Sequence, residues 1–253
     1  MRRRLLGRTS GGDICTPYGT PLPYNTGLLS HCSIYNICDI WTLNDQTLPL
    51  SEIDPPQGNR CAWLADLSGN GNPFVDASSV PNDDRSFTYQ TDAGVYGDCD
   101  ASPSAGFVGY TINTSWRINS DVKTIILLVQ VDDVSSSNST RFIQGQLVFR
   151  FASGNLQVFD GVLRNSSLAG SSNTWHIVSL RTDGNVVVGL DKSYQQVKAT
   201  APTITNTDFS ILNTANPVNK FLGRFREIIT FSGSISDSNV DNISDWLTTK
   251  WNL

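Results

Sequence analysis

The chain has 253 residues, of which 39% are hydrophobic and 16% charged, a length that holds one large β-sandwich or two small domains. Ser, Thr, Asn and Gly are plentiful while Glu is scarce and Met occurs once, a mix that favours strands and turns over long helices. The net charge is −5, but Arg2, Arg3, Arg4 and Arg8 leave 14 basic against 23 acidic residues behind them, −9 in all, and an acidic body argues against a nucleic-acid-binding fold.

Residues 1–40 carry no apolar period. The opening MRRRLLGRTSGG has only Leu5 and Leu6 before Gly7, short of the roughly 7–15 apolar residues of a secretory signal. The expectation is therefore synthesis in a cytoplasm and release by another route. TPYGTPLPYNTG (16–27) is rich in turn formers and reads as an extended arm without a core of its own. Docked on a neighbouring subunit or on a copy of itself, such an arm would offer Leu5, Leu6, Tyr18 and Tyr24 as contact area. Arg2, Arg3, Arg4 and Arg8 would meet acidic groups there. Cys15, Cys32, Cys38, Cys61 and Cys99 form no C-x-x-C pair. They read as buried thiols or one incidental disulfide, with a zinc site on His31, Cys32 and Cys38 as the alternative.

From Trp41 to Gly106 short apolar pieces alternate with polar loops. Within them Asp66, Ser68, Asn70 and Asn72 place oxygens at alternate positions with Gly71 sixth, and Asp76 follows. That matches the first half of a calcium loop, although Ala77 stands where a bidentate Glu is expected. The simpler reading is a Gly-rich turn whose Asp and Asn bond their own backbone. No other cofactor is expected.

Strand signals are dense after that. KTIILLVQV (123–131) is a near-continuous apolar run, as in a central strand buried on both faces. It is interrupted by Gln130 and too short to span a bilayer. Gln146–Phe151 and Leu156–Val162 flank a Gly-containing hairpin loop. Thr174–Thr182 and Asn185–Asp191 flank Asp183-Gly184, the strongest hairpin signal in the chain. Trp175 and His176 fall on opposite faces of their strand, Trp175 as a core residue and His176 as a sheet-face histidine. Arg224–Phe231 is a further strand. Val240, Ile243, Trp246 and Leu247 then recur at helical spacing behind Ser236 and Asp237, predicting one short C-terminal helix. The sequons at Asn113, Asn138, Asn165 and Asn242 are by-products of Asn/Ser-rich loops.

Three stretches resemble laminin-G-like, concanavalin A-like jelly-roll domains: AWLADLSGNGNPF (62–74), NTWHIVSLRTDGNVVVGLD (173–191) and GRFREIITFSGSISDSNVDNISDWLTTKWNL (223–253). The resemblance implies an all-β, antiparallel jelly-roll β-sandwich over 41–253, with a short C-terminal helix and an extended N-terminal arm over 1–40. That family includes carbohydrate-binding modules, glucanases and bacteriophage virion proteins. Glu52-Ile53-Asp54-Pro55-Pro56-Gln57 is similar to the glucanase E-I-D-x-x-E signature. Gln57, however, replaces the second carboxylate, and two prolines would break the strand. The expectation is a non-enzymatic virion structural protein that displays a lectin-like sandwich for adhesion or particle stability. A stand-alone lectin is the alternative and a glycoside hydrolase a distant third. Its partners would be other virion proteins, copies of itself and a surface glycan, with neither nucleic acid nor membrane.

Overall fold

The computed structural model describes residues 20–36, 40–42, 60–76, 87–91, 94–99, 110–112, 121–136, 141–202, 209–212 and 221–253. Arg2, Arg3, Arg4, Leu5, Leu6, Arg8, Tyr18 and the Glu52–Gln57 motif lie outside them. Strands β1 (Leu28–Ser33), β2 (Ile40–Thr42), β3 (Arg60–Leu64), β4 (Phe74–Asp76), β5 (Phe87–Gln90), β6 (Tyr96–Asp98) and β7 (Tyr110–Ile112) precede the long β8 (Thr124–Val131). After it come β9 (Arg141–Gly145), β10 (Val148–Ala152), β11 (Asn155–Phe159), β12 (Leu163–Ala169) and β13 (Trp175–Arg181). β14 (Val186–Leu190), β15 (Ser193–Lys198), β16 (Phe209–Ile211), β17 (Gly223–Phe231) and helix α1 (Asp237–Trp251) complete the order.

Every described pairing is antiparallel. One layer runs β15–β14–β13–β8–β17–β1. The other runs β12–β11–β10–β9–β16–β7–β4–β3–β5–β6. β6 rejoins β17 beside the bulge at Phe225/Glu227 and closes the roll. At the start of β17, Gly223 has φ +149, and a Cβ there would meet the Gln130 carbonyl oxygen at 2.1 Å. Only glycine lets the two strands approach so closely.

β8 shows why its run is apolar on both faces. Ile125, Leu127 and Val129 enter the core between the layers, while Ile126 and Leu128 face α1. Val240, Ile243, Trp246 and Leu247 of α1 cover that second cluster, as the helical spacing predicts. The helix begins at Ser236, whose side chain accepts from the Asn239 N–H, and ends at Asn252 in the left-handed conformation. Its acidic residues Asp237, Asp241 and Asp245 are matched by Arg181, Tyr194 and Lys192 on the first layer. Ion pairs as exposed as Lys192–Asp245 fix orientation more than they add stability.

The boundary expected at residue 40 moves. Residues 28–33 form β1, which pairs with β17 from Leu28 to Ser33, so the sandwich recruits part of the predicted arm. Tyr24, expected to dock on a partner, lies against Phe231 of its own domain with ring centroids 5.8 Å apart. Trp175 is half-buried rather than fully in the core, and the Arg226 guanidinium stacks over its ring at 4.1 Å. The strand expected over 156–162 stops at Phe159, because Asp160 and Gly161 turn the chain into β12.

Candidate functional site

On the helix side of the first layer, strand alternation brings His31 and Ser33 of β1 beside Glu227 of β17. Lys250 of α1 stands one further turn along the Ile243–Trp246–Leu247 stripe, over the same point. Glu227 is wholly buried and its carboxylate is fully engaged. Oε1 accepts from Ser33 Oγ at 2.8 Å, from Trp251 Nε1 at 2.8 Å and from the Lys250 ammonium at 2.5 Å. Oε2 faces His31 Nε2 at 2.9 Å. Burial works against the charged carboxylate, but Lys250 and then His31 outweigh it and hold the Glu227 pKa below its ordinary value. Tyr35, Trp246 and Trp251 surround the Lys250 ammonium at 4.8–5.6 Å from their ring centroids.

Above this cluster a cavity of about 400 Å³ opens. Trp246 and Tyr35 supply its aromatic walls, His31 an imidazole and Lys250 an ammonium group. Asn25, Asn36 and Ser68 add amide and hydroxyl groups. The far wall is the segment before β1, pinned where Trp246 Nε1 donates to the Thr20 carbonyl at 3.0 Å. Among the described residues no Asp or Glu lines the cavity, because Glu227 is sealed behind its four donors.

The Asp66–Asn72 turn forms the neighbouring rim. Asp66 Oδ1 accepts from the N–H groups of His31 at 3.1 Å and Ser68 at 2.9 Å. Its Oδ2 accepts from Ser68 Oγ at 2.8 Å and the Asn72 N–H at 2.9 Å. Asn70 donates to the Leu28 carbonyl and Asn72 to that of Leu29, while Leu67 N–H reaches the His31 carbonyl at 2.7 Å. These polar groups stand in for a missing strand along the open edge of β1. Four donors occupy the Asp66 carboxylate where a cation would need its lone pairs, so the turn reading accounts for this geometry. The side chain of Asp76 lies outside the described set. Among the described residues no group of three or more His, Cys, Asp or Glu side chains is placed to hold a metal. Melting curves in calcium and in chelator are expected to coincide; a higher Tm in calcium would restore the metal reading.

The zinc alternative meets the same alternation. His31 points to Glu227, whereas Cys32 points into the core and donates toward the Leu64 carbonyl; Cys38 lies outside the described residues. Cys32, Cys61 and Cys99 are buried. His176 is buried and bonded through Nδ1 to Asp191 at 2.6 Å. Burial disfavours its charged form, but Asp191 prevails and raises its pKa above the ordinary 6.5. With Asp191 also holding the Ile177 N–H at 2.8 Å, the pair locks a turn.

No protein-family model and no curated protein matches the chain. Solved structures do. Domain 4 of AbnA, a GH43 extracellular arabinanase from Geobacillus stearothermophilus in complex with arabinotriose, is similar over 86% of this chain and 98% of its own, with a TM-score of 0.53 and 12% identity. The binding domain of botulinum neurotoxin DC, in complex with SialylT, matches over 88% of this chain with a TM-score of 0.55 and 11% identity. Trypanosoma rangeli sialidase in complex with sialic acid matches over 93%, with a TM-score of 0.51 and 12% identity. The chain spans 52% of that toxin domain and 36% of the sialidase. The protein has the antiparallel, lectin-like β-sandwich fold of these domains.

Proposed function

We propose that this sandwich binds glycans and performs no chemistry on them. The observation that carries the reading is the cavity under α1, in which Trp246 and Tyr35 present apolar ring surfaces next to amide, hydroxyl and imidazole groups. Sugar rings offer an apolar C–H face and a rim of hydroxyls, so aromatic walls with a few placed donors and acceptors suit them. The structural neighbours lend support, since arabinotriose, SialylT and sialic acid are bound in three of them. Glycosidase chemistry calls for two carboxylates flanking the bond, with one able to pass a proton to the substrate. The described lining of the cavity offers neither.

A glycan array probed with the intact chain should show saturable binding, with no release of reducing ends from retained or polymeric glycans. Tyr35→Ala should weaken that binding at least roughly tenfold, the loss expected of one stacking aromatic, with little change in Tm because Tyr35 is 39% exposed. An array without retained glycans would overturn the proposal.

A finer reading places the module on a virus particle as a structural component, with the N-terminal residues as its attachment. Its support is the concentration of Arg2, Arg3, Arg4 and Arg8 ahead of an acidic body, together with the resemblance to a jelly-roll family that includes bacteriophage virion proteins beside carbohydrate-binding modules and glucanases. Mass spectrometry of purified particles tests it, with a truncation of residues 1–19 expected to fold but not to assemble.

A further inference from the structure

Among the described residues the cavity under α1 is lined by two groups able to carry positive charge, His31 and Lys250, and both are already engaged. The Lys250 ammonium donates to Ser33 Oγ at 3.0 Å, pairs with Glu227 and is ringed by Tyr35, Trp246 and Trp251. An incoming anion would have to break that arrangement to reach it. His31 turns Nε2 to the other Glu227 oxygen, and its backbone N–H is held by Asp66. Asp66 directly precedes the lining residues Leu67 and Ser68. Its four donors are neutral N–H and O–H groups, which spread its charge without cancelling it. Two carboxylates, Asp66 and Glu227, therefore stand against one ammonium and one imidazole. With the ring neutral the sum is one negative charge, and with the ring protonated it is zero. In neither state do the lining and its direct partners offer a ligand net positive charge. Arg226 also senses Glu227 but lies outside the lining, where it stacks on Trp175 and Trp251 and donates to the Val95 carbonyl.

We infer that the cavity selects neutral saccharides and rejects those that carry carboxylate or sulfate groups; the inference rests on the glycan-binding reading above. An acidic sugar would give up the water around its charge, which is costly unless a partner replaces it, and both lining cations are committed to Glu227. A neutral sugar pays no such penalty. Its hydroxyls suit the Asn25 amide, and its C–H faces suit the rings of Tyr35 and Trp246. Discrimination of this kind comes from what the site withholds from the wrong ligand.

The test applies the full chain to an array that carries neutral glycans beside the same glycans capped with sialic acid or bearing sulfate. Retained pairs are then titrated in solution. The neutral member of each pair is expected to bind at least roughly tenfold tighter, the loss that one uncompensated polar or charged group brings. Leu67→Lys places a cation on the lining, and Leu67 is 43% exposed, so the variant should keep the wild-type Tm. Its ratio of neutral to acidic affinity should fall roughly fivefold. Equal affinity within the pairs, or retention of the acidic members alone, would overturn the neutral selectivity and leave glycan binding standing. No retained glycan of either kind would overturn both. A Leu67→Lys ratio equal to that of the wild type would show that charge does not set the preference and would overturn the inference as well.

Discussion

Glu227→Ala is expected to destabilise the fold by about 3–5 kcal/mol, the cost of breaking a buried ion pair from one side. The carboxylate is the common acceptor for Ser33, Trp251, Lys250 and His31. Its removal strands an ammonium whose side chain is only 2% exposed and leaves several buried donors without acceptors. Glu227→Leu combined with Lys250→Met deletes both charges and should recover the part of the loss due to the stranded ammonium, while Ser33, Trp251 and His31 still lack their acceptor. The same carboxylate sets an acid limit. Its folded-state pKa lies below the ordinary 4.5, so its contribution is present above that value and disappears as pH falls through the folded pKa. Wild-type stability should drop in that acidic window, and the double variant should drop less. Chemical denaturation checks all of this; a loss under about 1 kcal/mol for Glu227→Ala would mean that the pair is dispensable.

Trp246→Ala should cost roughly 3–5 kcal/mol, as large-to-small changes at buried aromatic positions do. Trp246 is 8% exposed and belongs to the cluster between α1 and the first layer. Its indole also meets the His31 ring edge-on at a centroid distance of 5.7 Å and donates to the Thr20 carbonyl. One side chain therefore joins the helix, β1 and the wall segment. The variant should lose stability and glycan binding together, whereas Tyr35→Ala should lose only binding. A Trp246→Ala protein with wild-type Tm would mean that the helix is not seated by this residue.

The jelly-roll class was legible through the resemblance of three motif stretches, and the two-faced β8 and the helix stripe because each rests on strong apolar periodicity. β12 was not. Its sequence LRNSSLA is largely exposed, so neither alternation nor β-propensity marks it, although Asp160-Gly161 offered a turn signal of the kind recognised at Asp183-Gly184. β1 was hidden in a segment full of Gly, Pro and Thr, and its buried polar residues Ser30, His31 and Ser33 broke the apolar alternation. The site was legible only in hindsight. Glu227 is the one acidic residue of β17, GRFREIITF, and Lys250 stands seven residues after Ile243 on the buried stripe. A charge of each sign at a core position signals a buried pair, but the sequence does not say that they meet each other and His31.

The central claim is that glycans enter the cavity under α1. Its most direct test is an NMR titration of the isotopically labelled full chain with a panel of neutral and sialylated oligosaccharides. The account predicts saturable shifts confined to Thr20–Asn25, His31–Asn36, Leu67–Ser68 and the Trp246 indole N–H, all of which disappear or weaken strongly in Tyr35→Ala. Shifts that instead cluster on the outer face of β9–β12, or that arise with no oligosaccharide in the panel, would contradict it.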